Sequence, residues 1–226
     1  MADSEGWLLM TTRQDVIERF ERWSPAAFIV GGIGLLGTSV VGSLDVAGIV
    51  ATYPRLNMGP LLFGLWFVFV GLIGLYPRVA DGSPRLSLGG LGTSGIAWVV
   101  WSITMLAAIG VDITSERTIA DPGSWGPPLL AGAFVLALLS FLIYGLASTW
   151  SESPSRTLGI LLLIPVVAFL GQAMLLVSKI LTGDVVAVLQ LALGGITAIV
   201  LIAVGYLLQN DTGQAASSES RVEPTT

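Results

Sequence analysis

Six intervals of this chain, residues 23–44, 56–77, 86–111, 122–151, 157–178 and 185–210, contain no charged side chain. A helix rises about 1.5 Å per residue, so roughly 20 residues cross the ~30 Å hydrocarbon layer of a bilayer, and every interval is longer than that. The apolar residues inside them run continuously and do not alternate with period two. That argues against a barrel and for helices, whose backbone groups satisfy one another within the segment. Composition agrees: 54% of the chain is hydrophobic and 11% charged, against about 25% charged in soluble domains, too little polar surface to cover a globule. The expected fold is an all-α polytopic membrane protein with six transmembrane helices, at about 26–44, 58–76, 88–111, 127–149, 157–178 and 185–208. A cytoplasmic N-terminal segment, 1–23, precedes the 24–210 membrane domain, and a disordered tail, 211–226, follows it.

The polar rests between intervals are short, so consecutive helices should be antiparallel neighbours, with both termini on one side. With those termini in the cytoplasm, the inner set of cations is Arg13, Arg19, Arg22, Arg78, Arg85, Arg156 and Arg221, and the outer set Arg55, Arg117 and Lys179. Positive charge gathers on the cytoplasmic side of membrane proteins, which favours this orientation in a plasma membrane. Trp23, Tyr76, Tyr144, Trp150 and Tyr206 then fall at the inner interface, and Tyr53 and Trp125 at the outer. Asp3 and Glu5 precede an apolar core of only four residues, 7–10, which does not make a signal peptide. Thr12 and Asp15 resemble a capping box, and Val16, Ile17, Phe20 and Trp23 share one face, so 12–22 reads as a short amphipathic helix on the inner membrane surface. From Asp211 the residues turn small and polar, the composition of disorder.

The chain has no His and no Cys, which removes imidazole bases, thiol nucleophiles, disulfides and the common zinc and iron–sulfur sites. A net charge of −5 argues against a nucleic-acid partner, which calls for a basic face. No cofactor, metal or catalytic residue is assigned. Ser94, Ser102 and Ser140 lack the base a serine nucleophile needs. Lys179 is the sole lysine, but it ends the fifth interval and does not sit midway along a seventh, as a retinal-binding lysine would. The partner that composition does require is the lipid bilayer. A second copy or another membrane protein is compatible with it.

Ionisable groups within a span are the usual markers of function, and the middle of each interval has none. The candidate polar residues lie toward one end of the bundle: Asp45, Asp112 and Lys179 close intervals one, three and five, and Asp184 precedes the sixth. They form an outer mouth for a cation or zwitterion if the helix ends converge, and solvated helix ends if they do not. The apolar run 46–53 would carry the first span deeper and bring Asp45 inside. Gln172 and Gln190 sit at similar depths in the last two spans and need partners away from water, most economically each other, with a substrate ligand as the alternative. Trp98 and Trp101 share a face, with Trp66 opposite, as a core cluster or a stacking platform.

Ser-Pro at 24–25, 83–84 and 153–154 precedes the odd spans, and Gly-Pro at 59–60 and 126–127 opens two even ones. Three two-helix units would explain the recurrence, and so would ordinary helix starts. Gly34, Thr38 and Gly42, Gly90 and Ser94, and Gly194 and Ala198 step by four, which lets helix backbones approach closely. Pro165 lies inside the fifth span and removes a helical hydrogen bond there.

Residues 24–32 (SPAAFIVGG) and 71–85 (GLIGLYPRVADGSPR) resemble small multi-span membrane proteins of halophilic archaea. The resemblance implies a salt-adapted source, which acidic loops and Arg over Lys also suggest, and it implies no activity and no site residue. The functional expectation is a non-enzymatic, small transporter-like or channel-like module. The alternative is a structural or regulatory subunit of a membrane complex.

Overall fold

A computed structural model describes the backbone of residues 3–48, 54–114, 126–150, 156–178 and 183–219, and side chains within 18–48, 59–107, 128–129, 131–150, 156–175 and 185–211. Among the described residues there are seven helices and no strand. They are α1 (Asp3–Val46), α2 (Pro54–Gly74), α3 (Tyr76–Ala80), α4 (Pro84–Thr114), α5 (Gly126–Trp150), α6 (Arg156–Ser178) and α7 (Gly183–Glu219). Five helices carry segments long and apolar enough to cross a membrane: Glu18–Val46, Pro84–Ala107, Ala131–Trp150, Arg156–Leu175 and Val185–Asp211. A shorter apolar segment, Gly59–Gly74, lies in α2.

The long helices form a ring in the order α1, α2, α4, α5, α6, α7, and α7 closes it by packing on α1 as fully as α2 does from the other side. Each neighbour is antiparallel. Gly34 meets Pro60 while Phe28 meets Gly71, and Gly42 meets Leu191 while Pro25 meets Gly205. α2 is drawn inward far enough to touch α5 across the ring. Its Val68, Phe69 and Leu72 are fully buried, and Phe63 is its one exposed large apolar side chain among those described. The other long helices keep one stripe outward. On α4 this is Leu88, Ile96, Val99, Ile103 and Leu106, whose steps of eight, three, four and three follow the helical period. One apolar cluster runs through all six long helices and α3.

Several helix boundaries differ from the sequence reading. The separate surface helix at 12–22 and the span after it are one helix, α1, which passes through Ser24-Pro25. Proline costs the bond its missing N–H would make to the carbonyl four residues back. Here tertiary contacts hold both residues in line. The Ser24 hydroxyl donates to the Gly71 carbonyl at 2.9 Å, and the Pro25 carbonyl rests directly on Gly205. Gly59-Pro60 likewise does not open the second span. α2 begins at Pro54, where a proline at the first helical position costs nothing, and Pro60 is internal. Ser83-Pro84 and Gly126-Pro127 do open α4 and α5, and Ser153-Pro154 lies outside the described residues. At the far end of α1 the helix stops at Val46, and Gly48 takes the left-handed conformation (φ 69°), its N–H bonded to the Asp45 carbonyl. Of the apolar run 46–53, only Val46 belongs to α1, and 49–53 lie outside the described residues. α7 continues as helix to Glu219, past the Asp211 at which the composition turns polar.

Candidate functional site

Polar side chains stand at both ends of the bundle: candidate residue Asp45 at one, and at the other a cluster that the sequence did not single out. Asp45 is exposed near the end of α1. The side chains of Asp112, Lys179 and Asp184 lie outside the described residues, as do Tyr53 and Trp125. Gln172 and Gln190 do come together. The link runs from the Gln172 amide to the backbone carbonyl of Gln190 at 3.4 Å, and not from one side-chain amide to the other. That is a long contact, beyond the 2.7–3.2 Å usual for N–H···O bonds. Among the described residues no group of three or more acidic side chains stands together as a metal site.

Aromatic side chains meet in series along four neighbouring helices. Phe69 of α2, Trp101 of α4, Phe134 of α5 and Phe169 of α6 follow one another edge to face, with centroids 6.2, 5.8 and 5.8 Å apart. Trp101 is 1% exposed, and its indole donates to the Leu62 carbonyl at 2.8 Å. Trp66 and Trp98 face each other with centroids 5.8 Å apart, and the Trp66 indole donates to Ser102 at 3.1 Å. Trp66 and Trp98 thus meet across α2 and α4, while Trp101 packs with Phe69 and Phe134. Buried hydroxyls are mostly satisfied within their own helix, as in Ser94 to the Gly90 carbonyl, Thr104 to Val100 and Thr197 to Leu193. Across α4 and α5, Ser140 and Thr93 lie 2.9 Å apart. Tyr144, expected at the interface, is instead completely buried in α5. The cause is Gly90, whose absent side chain leaves a slot for the phenol ring: a Cβ there would stand 2.8 Å from it. Trp23, Trp150 and Tyr206 are exposed, as interfacial residues should be.

At the end opposite Asp45, Arg78 of α3 has only 12% of its side chain exposed. Its Nε stands 3.4 Å from Glu21 of α1, and its Nη1 donates to the Leu208 carbonyl of α7 at 3.3 Å. One guanidinium therefore ties three helices, a role for which its multiple fixed donors suit it. Read along the chain, Arg78 looked like one more loop cation. The adjoining Tyr76-Pro77, which starts a new short helix directly after α2, is the signal that could have marked it.

Small-residue packing is the sequence expectation best realised, with partners the four-residue steps did not name. Gly31 and Gly34 press on Gly64, with would-be Cβ atoms 2.8 and 2.9 Å from its carbonyl oxygen and Cα. Gly32 presses on the Ala198 carbonyl at 2.8 Å, and Gly205 on the Pro25 carbonyl at 2.6 Å. Gly74 meets the Phe20 carbonyl, and Gly159 meets that of Gly145 at 2.9 Å. Thr38 spends its hydroxyl on the Gly34 carbonyl of its own helix.

Comparison of the chain with protein-family models, with curated proteins and with solved structures finds no match.

Proposed function

We propose that this protein is a non-enzymatic, six-span membrane module whose main role is structural or regulatory within a membrane assembly. The observation that supports this reading is the single apolar core shared by all six long helices, in which Phe69 and Trp101 are each 1% exposed. The α2 segment Gly59–Gly74 is the sixth span, since the full α2 helix of 21 residues reaches ~31 Å at 1.5 Å per residue. Arg19, Arg22, Arg78, Arg85 and Arg156 belong to the α1, α3, α4 and α6 ends that share one side of an antiparallel bundle. That end faces the cytoplasm of a plasma membrane under the positive-inside rule. A salt-adapted, archaeal source accords with the acidic composition.

The second reading, a transporter-like module, is favoured by Gln172 reaching toward Gln190 inside the membrane. Reconstituted into liposomes, the protein is expected to pass small cations and neutral osmolytes no faster than protein-free vesicles. Excess flux that Gln172→Leu abolishes would overturn the structural reading in favour of transport.

A further inference from the structure

Arg78 is nearly buried, yet much of its hydrogen-bonding capacity is unspent. A guanidinium has donors only and cannot shed its charge, so each covered N–H calls for an acceptor. Nη1 donates to the Leu208 carbonyl at 3.3 Å. Nε and Nη2 are both buried, and neither makes a hydrogen bond among the described residues. These two nitrogens form one edge of the guanidinium, where two parallel N–H groups can meet two oxygens of a carboxylate or phosphate. Glu21 brings a single oxygen to that edge, 3.4 Å from Nε, where a charged pair settles at about 2.7–2.9 Å.

The surroundings place this edge at the depth of lipid headgroups. Glu21 and Leu208 lie about one helical turn beyond the contact of Pro25 with Gly205, where α1 and α7 run side by side. Trp23 and Tyr206, two positions from Glu21 and Leu208, are 66% and 60% exposed, and such aromatic side chains collect at the membrane–water interface. Glu21 is the movable part of the cover: 36% of its side chain is exposed, and an ion pair so open to water holds weakly. Among the described side chains this end carries Arg19, Arg22, Arg78, Arg85 and Arg156 against Glu18, Glu21, Asp81 and Asp211. Charge in bulk is thus nearly balanced, and a preference for an anion has to come from the buried guanidinium.

We infer that the Nε–Nη2 edge of Arg78 binds the phosphate of an anionic membrane lipid, which takes the place of the Glu21 carboxylate and leaves its acyl chains in the surrounding bilayer. The phosphate engages two donors where Glu21 engages one, and Glu21 turns into water. Such a site serves a bundle that conducts a solute and one that does not.

The test uses the full-length protein in dodecyl maltoside micelles, with lipid binding read by native mass spectrometry and protection by thermal unfolding. The probes are dioleoylphosphatidylglycerol, dioleoylphosphatidylcholine and inorganic phosphate at constant ionic strength. Phosphatidylglycerol is expected to bind more tightly than phosphatidylcholine, and phosphate alone to give no protection. Arg78→Gln should weaken phosphatidylglycerol binding roughly tenfold, the loss of a charge-assisted pair of hydrogen bonds. Arg156→Gln, at an exposed position of the same end, should change it by less than about twofold. Glu21→Gln removes the competing carboxylate and should tighten binding severalfold, whereas Glu18→Gln, exposed on the same helix, should not. That variant keeps Arg78 in place and tests the site even where Arg78→Gln folds poorly. Equal binding of the two lipids, or as large a loss from Arg156→Gln as from Arg78→Gln, would overturn the site. Binding unchanged or weakened by Glu21→Gln would overturn the displacement of Glu21, and protection by inorganic phosphate equal to that by lipid would overturn the lipid as ligand in favour of a soluble phosphate.

Discussion

α1 and α6 both sit in the ring between two neighbours, yet they hold them by different means. α1 turns glycines to both sides, Gly31 and Gly34 toward α2 and Gly32 toward α7, and its partners answer with Gly64 and Gly205. Among its described residues α6 has one such contact, Gly159 with Gly145 of α5, and these meet α7 through Leu193 and the Gln172 amide. Lipid tails are as apolar as leucine, so apolar side chains gain little by leaving lipid for a neighbouring helix. Van der Waals contact between backbones and interhelical hydrogen bonds must supply the association energy. α1 has the first in quantity and α6 has little of either toward α7. The contrast teaches that a ring of similarly apolar helices is not uniformly stable.

Substitutions test this from the strongest seam downward. Gly64→Val should have the largest effect, because its added atoms meet the Gly31 carbonyl and the Leu35 amide at 3.0 Å, backbone that cannot rotate away. A loss of ~3 kcal/mol or more is expected, read as a collapse of the monodisperse peak in size exclusion after mild heating. Trp101→Ala comes next. It empties a buried site shared by α2, α4 and α5 and should cost about 3 kcal/mol, measured by unfolding in mixed micelles. If it costs as much as Gly64→Val, side-chain packing rivals backbone approach and the comparison fails.

Arg78→Gln should lower stability by about 1 kcal/mol, since Glu21 is well exposed and solvent screens the pair. The loss should shrink as salt is raised, which a melting series across ionic strength would reveal. Gln172→Leu should cost under ~1 kcal/mol, in keeping with the average for interhelical hydrogen bonds in membranes. The smallest effect, with the opposite sign, belongs to Gly195→Ala. Nothing lies within 4 Å of a Cβ there, so alanine's better helix propensity should stabilise α7 by a few tenths of a kcal/mol up to ~1. A destabilised Gly195→Ala protein would show that this open face is occupied.

Much of the layout was legible because it depends on bulk chemistry. The intervals without charge became helices, since a long apolar segment can satisfy its backbone only internally. Where propensity and tertiary contact compete, local reading failed. Pro25 and Pro60 looked like helix starts because proline usually is one, but α1 and α2 run through both, Ser24-Pro25 held by Gly71 and Gly205 far along the chain and Pro60 set against Gly34. The polar site was less legible still. Gln172 and Gln190 could be matched by depth, but which atom of one reaches the other depends on how α6 and α7 are rotated. No periodicity records that rotation. Tyr144 fell to the same gap: it lies where a belt residue belongs, and only the slot at Gly90 explains why it points inward.

The sequence by itself determined that this chain forms apolar helices of membrane length, and how they follow one another, because hydrophobicity, chain continuity and the hydrogen-bonding demand of a peptide backbone act locally. Only the tertiary structure decided that the ring closes through α1 and α7, that aromatic side chains link α2, α4, α5 and α6 in series, and that Arg78 ties three helices at one end. Those outcomes depend on which face each helix turns to its neighbours, and in apolar helices that choice is made by the fit of glycine against backbone, a property of pairs of helices that no single segment contains.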